Sequence, residues 1–309
     1  MPAHPLLIGT RGSPLALWQA RHVLARLLEA HELAEGDAEL SVITTSGDRI
    51  KDKPLREFGG KGLFTKEIDE ALLRGDVAMA VHSMKDLPTE LPEGICIAAV
   101  LPRADVRDAF ISKTAPSLAD LAPGAMVGTS SLRRQAQVRR LRPDLRVIDF
   151  RGNVETRLRK LEEGKADATL LALAGLERLG LTSHATSILS TEVMLPAVAQ
   201  GAIGVTCRSD DAKTRTLLKA LNDDLAATTV ACERAFLGRL DGSCKTPIAG
   251  LAEIDGGILR LRGLMLAPDG TESYGVEVTG ATEHATKLGT DAGEELVARA
   301  GPEFLAKLA

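Results

Sequence analysis

Three segments of the sequence join small or hydroxyl residues to arginine where an apolar run gives way to a helical pattern. They are Gly9-Thr10-Arg11-Gly12-Ser13, Gly128-Thr129-Ser130-Ser131-Leu132-Arg133-Arg134 and Arg151-Gly152-Asn153-Val154-Glu155-Thr156-Arg157. A helix N-terminus offers free N–H groups and partial positive charge, and so holds anions. Arginine adds a two-pronged grip on a carboxylate. At the first junction the bland alternative is a capped helix with a surface arginine. At the second, Arg133 and Arg134 stand in the first turn, where the helix dipole disfavours cations, so an anion is expected to compensate them. At the third, Asn153 is a helix cap, and Arg157 reads either as a ligand-facing group or as half of a surface pair.

A fourth segment, Val81-His82-Ser83-Met84-Lys85-Asp86-Leu87-Pro88, runs from an apolar strand into a polar cluster. Lys85 and Asp86 pair at a strand end in the bland reading. In the functional one, Asp86 moves protons or stabilises a developing cation. His82 reads as a structural histidine. The six histidines are scattered, and no Cys/His spacing fits a metal site. The four cysteines stand at 96, 207, 232 and 244. Cys96, Cys207 and Cys232 lie in apolar strand or helix patterns and read as inert core. Cys244, in Asp241-Gly242-Ser243-Cys244-Lys245, lies in a glycine-flanked loop beside a lysine, where a thiolate is favoured. With no histidine nearby in sequence, it reads as a covalent attachment point rather than a turnover nucleophile.

The elements that must position these groups alternate strand and helix over the first two thirds of the chain. The strand candidates there are Leu6–Ile8, Leu40–Thr44, Val77–Val81, Ile95–Val100, Asp108–Ser112, Ala125–Gly128, Arg146–Phe150, Ala168–Leu173 and Ile203–Cys207. Such alternation predicts mostly parallel α/β sheets, whose strand C-termini are where ligands bind. The polar stretch Asp48–Lys66, with Gly59-Gly60-Lys61-Gly62 within it, reads as a loop or lid over a cleft. After residue 224 the pattern changes. A helix is followed by strands at Ile248–Ile254, Ile258–Leu266 and Ser273–Val278, with turn signals Asp255-Gly256-Gly257 and Pro268-Asp269-Gly270 between them, then a closing helix at Glu283–Ala300.

The chain of 309 residues has length for more than one domain. Its 38 basic and 42 acidic residues give a net charge of -4, which disfavours a general nucleic-acid surface, and 3% aromatics leave little for base stacking. No apolar run reaches the roughly 20 residues of a membrane helix. The N-terminal residues lack a secretory pattern, and the spread cysteines suit a reducing cytoplasm.

Taken in order, Gly9–Ala16, Thr45-Ser46-Gly47-Asp48, Gly60-Lys61-Gly62-Leu63-Phe64, His82–Pro88, Gly128–Arg134, Arg151-Gly152-Asn153-Val154 and Gly242-Ser243-Cys244 resemble the porphobilinogen deaminase (hydroxymethylbilane synthase) family over nearly the whole chain. One departure is Lys245-Thr246, where glutamine and an aliphatic residue are expected in many members. The resemblance implies two lobes like those of periplasmic binding proteins plus a smaller α+β C-terminal domain with a three-stranded antiparallel sheet. The implied domains are 1–101 with 202–219, 107–195, and 224–309.

It also implies a transferase of haem and porphyrin biosynthesis that condenses four porphobilinogen molecules head to tail into hydroxymethylbilane, releasing ammonia each time. The chain would grow on a dipyrromethane cofactor held by a thioether to Cys244. Asp86 matches the catalytic carboxylate. Cofactor contacts are implied for Ser83, Lys85, Asp86, Thr129, Ser131, Arg133, Arg134 and Gly152, and substrate contacts for Arg11, Ser13, Arg151, Arg157, Lys61 and Phe64. No metal, nucleic acid or membrane partner is implied. The expectation is a cytoplasmic monomer whose product passes to uroporphyrinogen III synthase. Two other classes compete. A non-catalytic two-lobed binder of a polycarboxylate explains the arginines but not the cysteine loop. A cysteine hydrolase needs a partnered histidine, for which His82 is the candidate.

Overall fold

A computed structural model describes residues 5–49, 62, 64–240 and 246–308. In chain order its elements are β1 (Leu6–Thr10), α1 (Pro14–Ala30), β2 (Ala38–Val42), α2 (Ser46–Arg49), α3 (Lys66–Arg74), β3 (Met79–Ser83), β4 (Ile95–Val100), β5 (Asp108–Ser112), β6 (Met126–Gly128), α4 (Leu132–Leu141), β7 (Arg146–Ile148), α5 (Val154–Glu162) and β8 (Ala168–Ala172). Then come α6 (Leu173–Leu179), β9 (Ser187–Leu189), β10 (Ile203–Arg208), α7 (Ala212–Leu218), α8 (Asp224–Arg239), β11 (Ile248–Asp255), β12 (Ile258–Leu266), β13 (Ser273–Ala281) and α9 (Ala285–Ala306). The chain forms two compact units, Met1–Arg103 with Ala202–Ala227, and Ala104–Gly201 with Thr228–Ala309.

The first unit is built on a five-stranded sheet ordered β2-β1-β3-β10-β4. Its helix α1 starts where Ser13 accepts a hydrogen bond from the Ala16 N–H and Pro14 takes the first turn. Ala20, Val23 and Leu27 recur along one face and are fully buried against Ile8, Met79 and Val205 of the sheet. The sheet is mixed, which corrects the expectation of mostly parallel pairing. β1 runs parallel to β2 and β3, but β10 runs antiparallel to β3 and β4. The cause lies in the chain path: β10 is the return strand after Gly201 and enters the sheet against the direction of its neighbours.

The second unit repeats that plan in the order β7-β6-β8-β5-β9, with β5 antiparallel to β8 and β9. Periodicity gave no sign of β9 or α7. The expected strand Ala168–Leu173 overruns β8 by one residue and α6 has no counterpart in the sequence pattern, because no polar residue separates Ala168–Ala172 from Leu173–Leu176 and Ala172 offers no side-chain cap. The same unit carries the antiparallel meander β11-β12-β13. Its turns fall at the expected glycines, with Gly256, Gly257 and Gly270 all at positive φ. The last helix breaks at Gly301-Pro302, one residue past the expected end. The buried Glu233 carboxylate on α8 accepts from the Ala199 N–H at 2.5 Å and the Ala252 N–H at 2.7 Å, joining the crossover before β10 to strand β11.

Helices α8 and α9 cross closely because Gly289 lacks a side chain. A Cβ there would overlap the Cys232 carbonyl oxygen, and one on Gly293 would lie 2.7 Å from the Arg239 Cβ. Gly289→Ala must therefore push the helices apart, at a cost of about 1–3 kcal/mol. Urea denaturation is expected to show a lowered midpoint, and an unchanged midpoint would contradict the close crossing.

Candidate functional site

In the first unit, β1 ends at Thr10 and the chain turns through Arg11 into α1. The Arg11 guanidinium is held on two sides. Its Nη2 donates to Asp48 Oδ1 at 2.5 Å and its Nε to the same carboxylate at 3.2 and 3.3 Å, while its Cζ lies 4.2 Å from the centroid of the Phe64 ring. Asp48 also accepts from the Thr45 hydroxyl at 2.8 Å. Burial pulls the Asp48 carboxyl upward, but the bonds from Arg11 and Thr45 outweigh it and hold the group below its ordinary range. Glu67 of α3 fixes the start of α2 by accepting from the Ser46 N–H at 2.9 Å and from the Ser46 hydroxyl.

The second group of the first unit stands at the end of β3. Ser83 exchanges hydrogen bonds with the Gln19 amide at 2.9 and 3.1 Å. A 3-10 turn over Met84–Asp86 then carries Lys85 and Asp86 out of the strand, both half-buried. The turn is pinned by the Met84 N–H donating to the Ala202 carbonyl at 3.0 Å, and by the Met84 side chain, 1% exposed. Gly204 makes that seat: any Cβ there would overlap the Met84 sulfur. His82 precedes Ser83 on β3. It lies buried against the Thr206 hydroxyl at 3.0 Å, and burial, aided by the Arg11 charge, pushes its pKa down to about 4.

In the second unit the Thr129–Ser131 segment follows the same strand-to-helix plan. Ser131 caps α4 by accepting from the Arg134 N–H, and the buried Thr129 hydroxyl accepts from the Ser131 N–H at 3.3 Å. Gly128 leaves space for Phe150, whose ring carbon would lie 2.6 Å from a Cβ. Arg133 and Arg134 do have the compensating anion that their position demands, and it is internal. Asp108, fully buried at the start of β5, receives Arg133 Nη2 at 2.8 Å, Arg134 Nη2 at 2.7 Å and Arg134 Nε at 3.1 Å. The need for an outside anion thus weakens as an argument. The cluster still holds two guanidiniums for one carboxylate, and Arg133 Nε is buried with no hydrogen-bond partner among the described residues.

The third junction is set by Gly152 at φ 127, where a Cβ would come within 2.5 Å of Thr156 Cγ2. Asn153 caps α5 by accepting from the Thr156 N–H at 2.9 Å. Arg157 Nε donates to the Gly152 carbonyl at 2.9 Å, and Lys160 Nζ to the Arg151 carbonyl at 2.9 Å. Both cations thereby stiffen the loop that displays Arg151.

The structure thus brings Arg11 to Phe64, Thr129 and Ser131 to Arg134, and Gly152 to Arg157. Lys61 and Cys244 lie outside the described residues. Sequence reasoning gave no site role to Asp48, Gln19, Gly204 and Asp108. Of these, Asp108 left a readable trace: one acidic residue opening the apolar run Ala109-Phe110-Ile111 calls for a buried partner.

Two family models match the chain. One, described as "Porphobilinogen deaminase, dipyromethane cofactor binding domain", covers residues 6–216, and the other, "Porphobilinogen deaminase, C-terminal domain", covers 227–298. Porphobilinogen deaminase of Paracoccus denitrificans is 55% identical over 98% of this chain and 97% of its own length. The chloroplastic porphobilinogen deaminase of Pisum sativum is 57% identical over 96% of this chain and 82% of its own. Among solved structures, the methionine-binding protein MetQ covers 74% of this chain and 94% of its own at a TM-score of 0.43 and 13% identity, a likeness that says nothing of function. With family matches spanning every motif from Gly9 to Cys244, and relatives more than half identical along nearly the full length, the chain belongs to the porphobilinogen deaminase family.

Proposed function

We propose that the protein condenses four porphobilinogen molecules head to tail into hydroxymethylbilane, with release of ammonia at each addition. The observation that carries this reading is the pair of family matches, which together include every segment singled out for its chemistry. Each pyrrole unit bears an acetate and a propionate, so the growing chain is strongly anionic. Guanidinium groups and helix N-termini suit it.

The residues present fit a dipyrromethane group. In the second unit a capped helix N-terminus at Ser131, the surplus positive charge of Arg133 and Arg134 over Asp108, and the orphaned Arg133 Nε favour an anionic occupant. Ser83, Lys85, Asp86, Thr129, Ser131, Arg133, Arg134 and Gly152 would hold it, with Cys244 as the covalent anchor. When bound, it supplies the pyrrole carbon to which the first unit is joined. Arg11, Ser13, Arg151, Arg157, Lys61 and Phe64 would receive the substrate carboxylates. Arg11 already lies over the Phe64 ring and is ion-paired, so a substrate carboxylate must displace Asp48 or share the Arg11 guanidinium with it. Asp86 is assigned the chemistry. Loss of ammonia from an aminomethylpyrrole leaves a delocalised cation, and a fixed carboxylate near the pyrrole N–H stabilises that charge and accepts a proton.

The proposal extends to three domains, with 224–309 as the third, and to a cytoplasmic monomer whose product goes to uroporphyrinogen III synthase. No described helix is long and apolar enough to cross a membrane. The test is intact mass of the purified protein beside Cys244→Ala. Wild type is expected to exceed its sequence mass by two condensed pyrrole units, as isolated or after incubation with porphobilinogen, while the variant keeps its bare mass. A wild type that gains nothing from porphobilinogen and releases no ammonia would overturn the reading.

A further inference from the structure

Cys96 on β4 and Cys207 on β10 are register partners in the antiparallel pair that closes the first unit's sheet. Opposed residues of such a ladder share one face, with Cα atoms about 4.5–5.5 Å apart. That span lies inside the roughly 4.4–6.8 Å window of a disulfide. Cys207 donates to the Arg208 carbonyl at 3.4 Å. Strand pairing, not chain flexibility, therefore sets their distance. Their exposures differ in a useful way: Cys207 is fully buried in the α1-facing core, while Cys96 is half-buried at its margin. Burial, then the neighbouring Cys96, pushes the Cys207 thiol up to about 12. Neither residue has a part in the proposed condensation.

We propose that Cys96 and Cys207 form a dithiol modification site, oxidised by low-molecular-weight disulfides to a cross-strand disulfide and restored by thiols. Cys96, the accessible member, gives up its proton and attacks one sulfur of the small disulfide, expelling one thiol and leaving a mixed disulfide on Cys96. Cys207 then loses its proton and attacks the Cys96 sulfur, expelling the second thiol. Two protein thiols are oxidised, and one small disulfide is reduced to two thiols. The high proton affinity of Cys207 makes the second step slow, so the mixed disulfide accumulates first.

The test uses the native cofactor-loaded protein incubated with oxidised glutathione, blocked with iodoacetamide and digested without reductant. The expected result is a peptide joining Cys96 to Cys207, preceded in time by glutathione on Cys96 and lost on adding dithiothreitol, with Cys232 of α8 still a thiol. In Cys207→Ser the glutathione on Cys96 should persist, because the resolving thiol is gone. In Cys96→Ser, Cys207 should stay unmodified. The proposal is overturned if both cysteines remain thiols in the native protein, or if joined peptides form only after urea unfolding, in mixed pairings with Cys232.

Discussion

Asp86→Asn is expected to fold as wild type does and to lose turnover by about 10²–10⁴-fold. The expectation follows from how the turn is held. Met84 anchors it through a backbone bond and a buried side chain seated over Gly204, and Leu87 closes it with its N–H on the Met84 carbonyl at 3.2 Å. None of these contacts involves the carboxylate of Asp86, a half-buried residue that lies between Met84 and Leu87 in the chain. Asparagine keeps its shape and removes only its charge and its capacity to accept a proton. The urea midpoint should therefore stay close to wild type, while the rate of ammonia release in a single turnover falls. The loss should appear in kcat more than in KM, since a group acting on the developing cation contributes little to ground-state binding. Near-normal single-turnover rates in a folded variant would remove Asp86 from the chemistry. A large fall in midpoint would instead make it a structural residue.

Much of the arrangement was legible in the sequence, and the limits were physical. Strand-to-helix junctions showed themselves because local chemistry writes them. Ser13, Ser131 and Asn153 are cap residues, and each does accept a bond from the third residue on. The hairpin glycines were equally plain. Partnerships between distant residues leave no such local mark. Asp48 pairs with Arg11 across 37 positions, and Asp108 reaches Arg133 and Arg134 across 25 and 26. Arginines in the first turn of α4 call for an anion, and only the fold shows that the chain supplies it, from Asp108. Gly204 reads as an ordinary strand residue until Met84 is placed against it. Mixed strand direction was hidden for a related reason: periodicity reports which residues are buried, not which way the next strand runs.

Replacing Asp108 is expected to have the largest effect on stability. Its two carboxylate oxygens take four donors: Arg134 Nη2 and Gln200 Nε2, at 2.7 and 2.8 Å, on one, and Arg133 Nη2 and Arg134 Nε, at 2.8 and 3.1 Å, on the other. Asp108 is 0% exposed, and Arg133 and Arg134 are 4% and 5% exposed, so water cannot take its place. Asp108→Asn leaves two buried guanidiniums without a counter-charge and turns an amide N–H toward their donors. Breaking a buried pair in this way costs about 3–5 kcal/mol, a large share of the roughly 5–15 kcal/mol that holds a typical protein folded. Burial alone would raise the Asp108 pKa, but the charges of Arg133 and Arg134 and their hydrogen bonds overcome it and hold the carboxyl far below its ordinary range. Because the folded-state value is depressed, the stabilisation is complete above the unfolded-state pKa of about 4 and is lost as pH falls below it. Other depressed carboxylates share that slope, so the informative quantity is the gap in urea midpoint between wild type and variant. That gap should be widest near neutrality and narrow below pH about 4. Should Asp108→Asn not fold, Gln200→Ala removes one donor and should lower the midpoint by a smaller amount. A variant as stable as wild type, or a gap that does not change with pH, would show that the carboxylate and the two arginines are not the coupled buried cluster described.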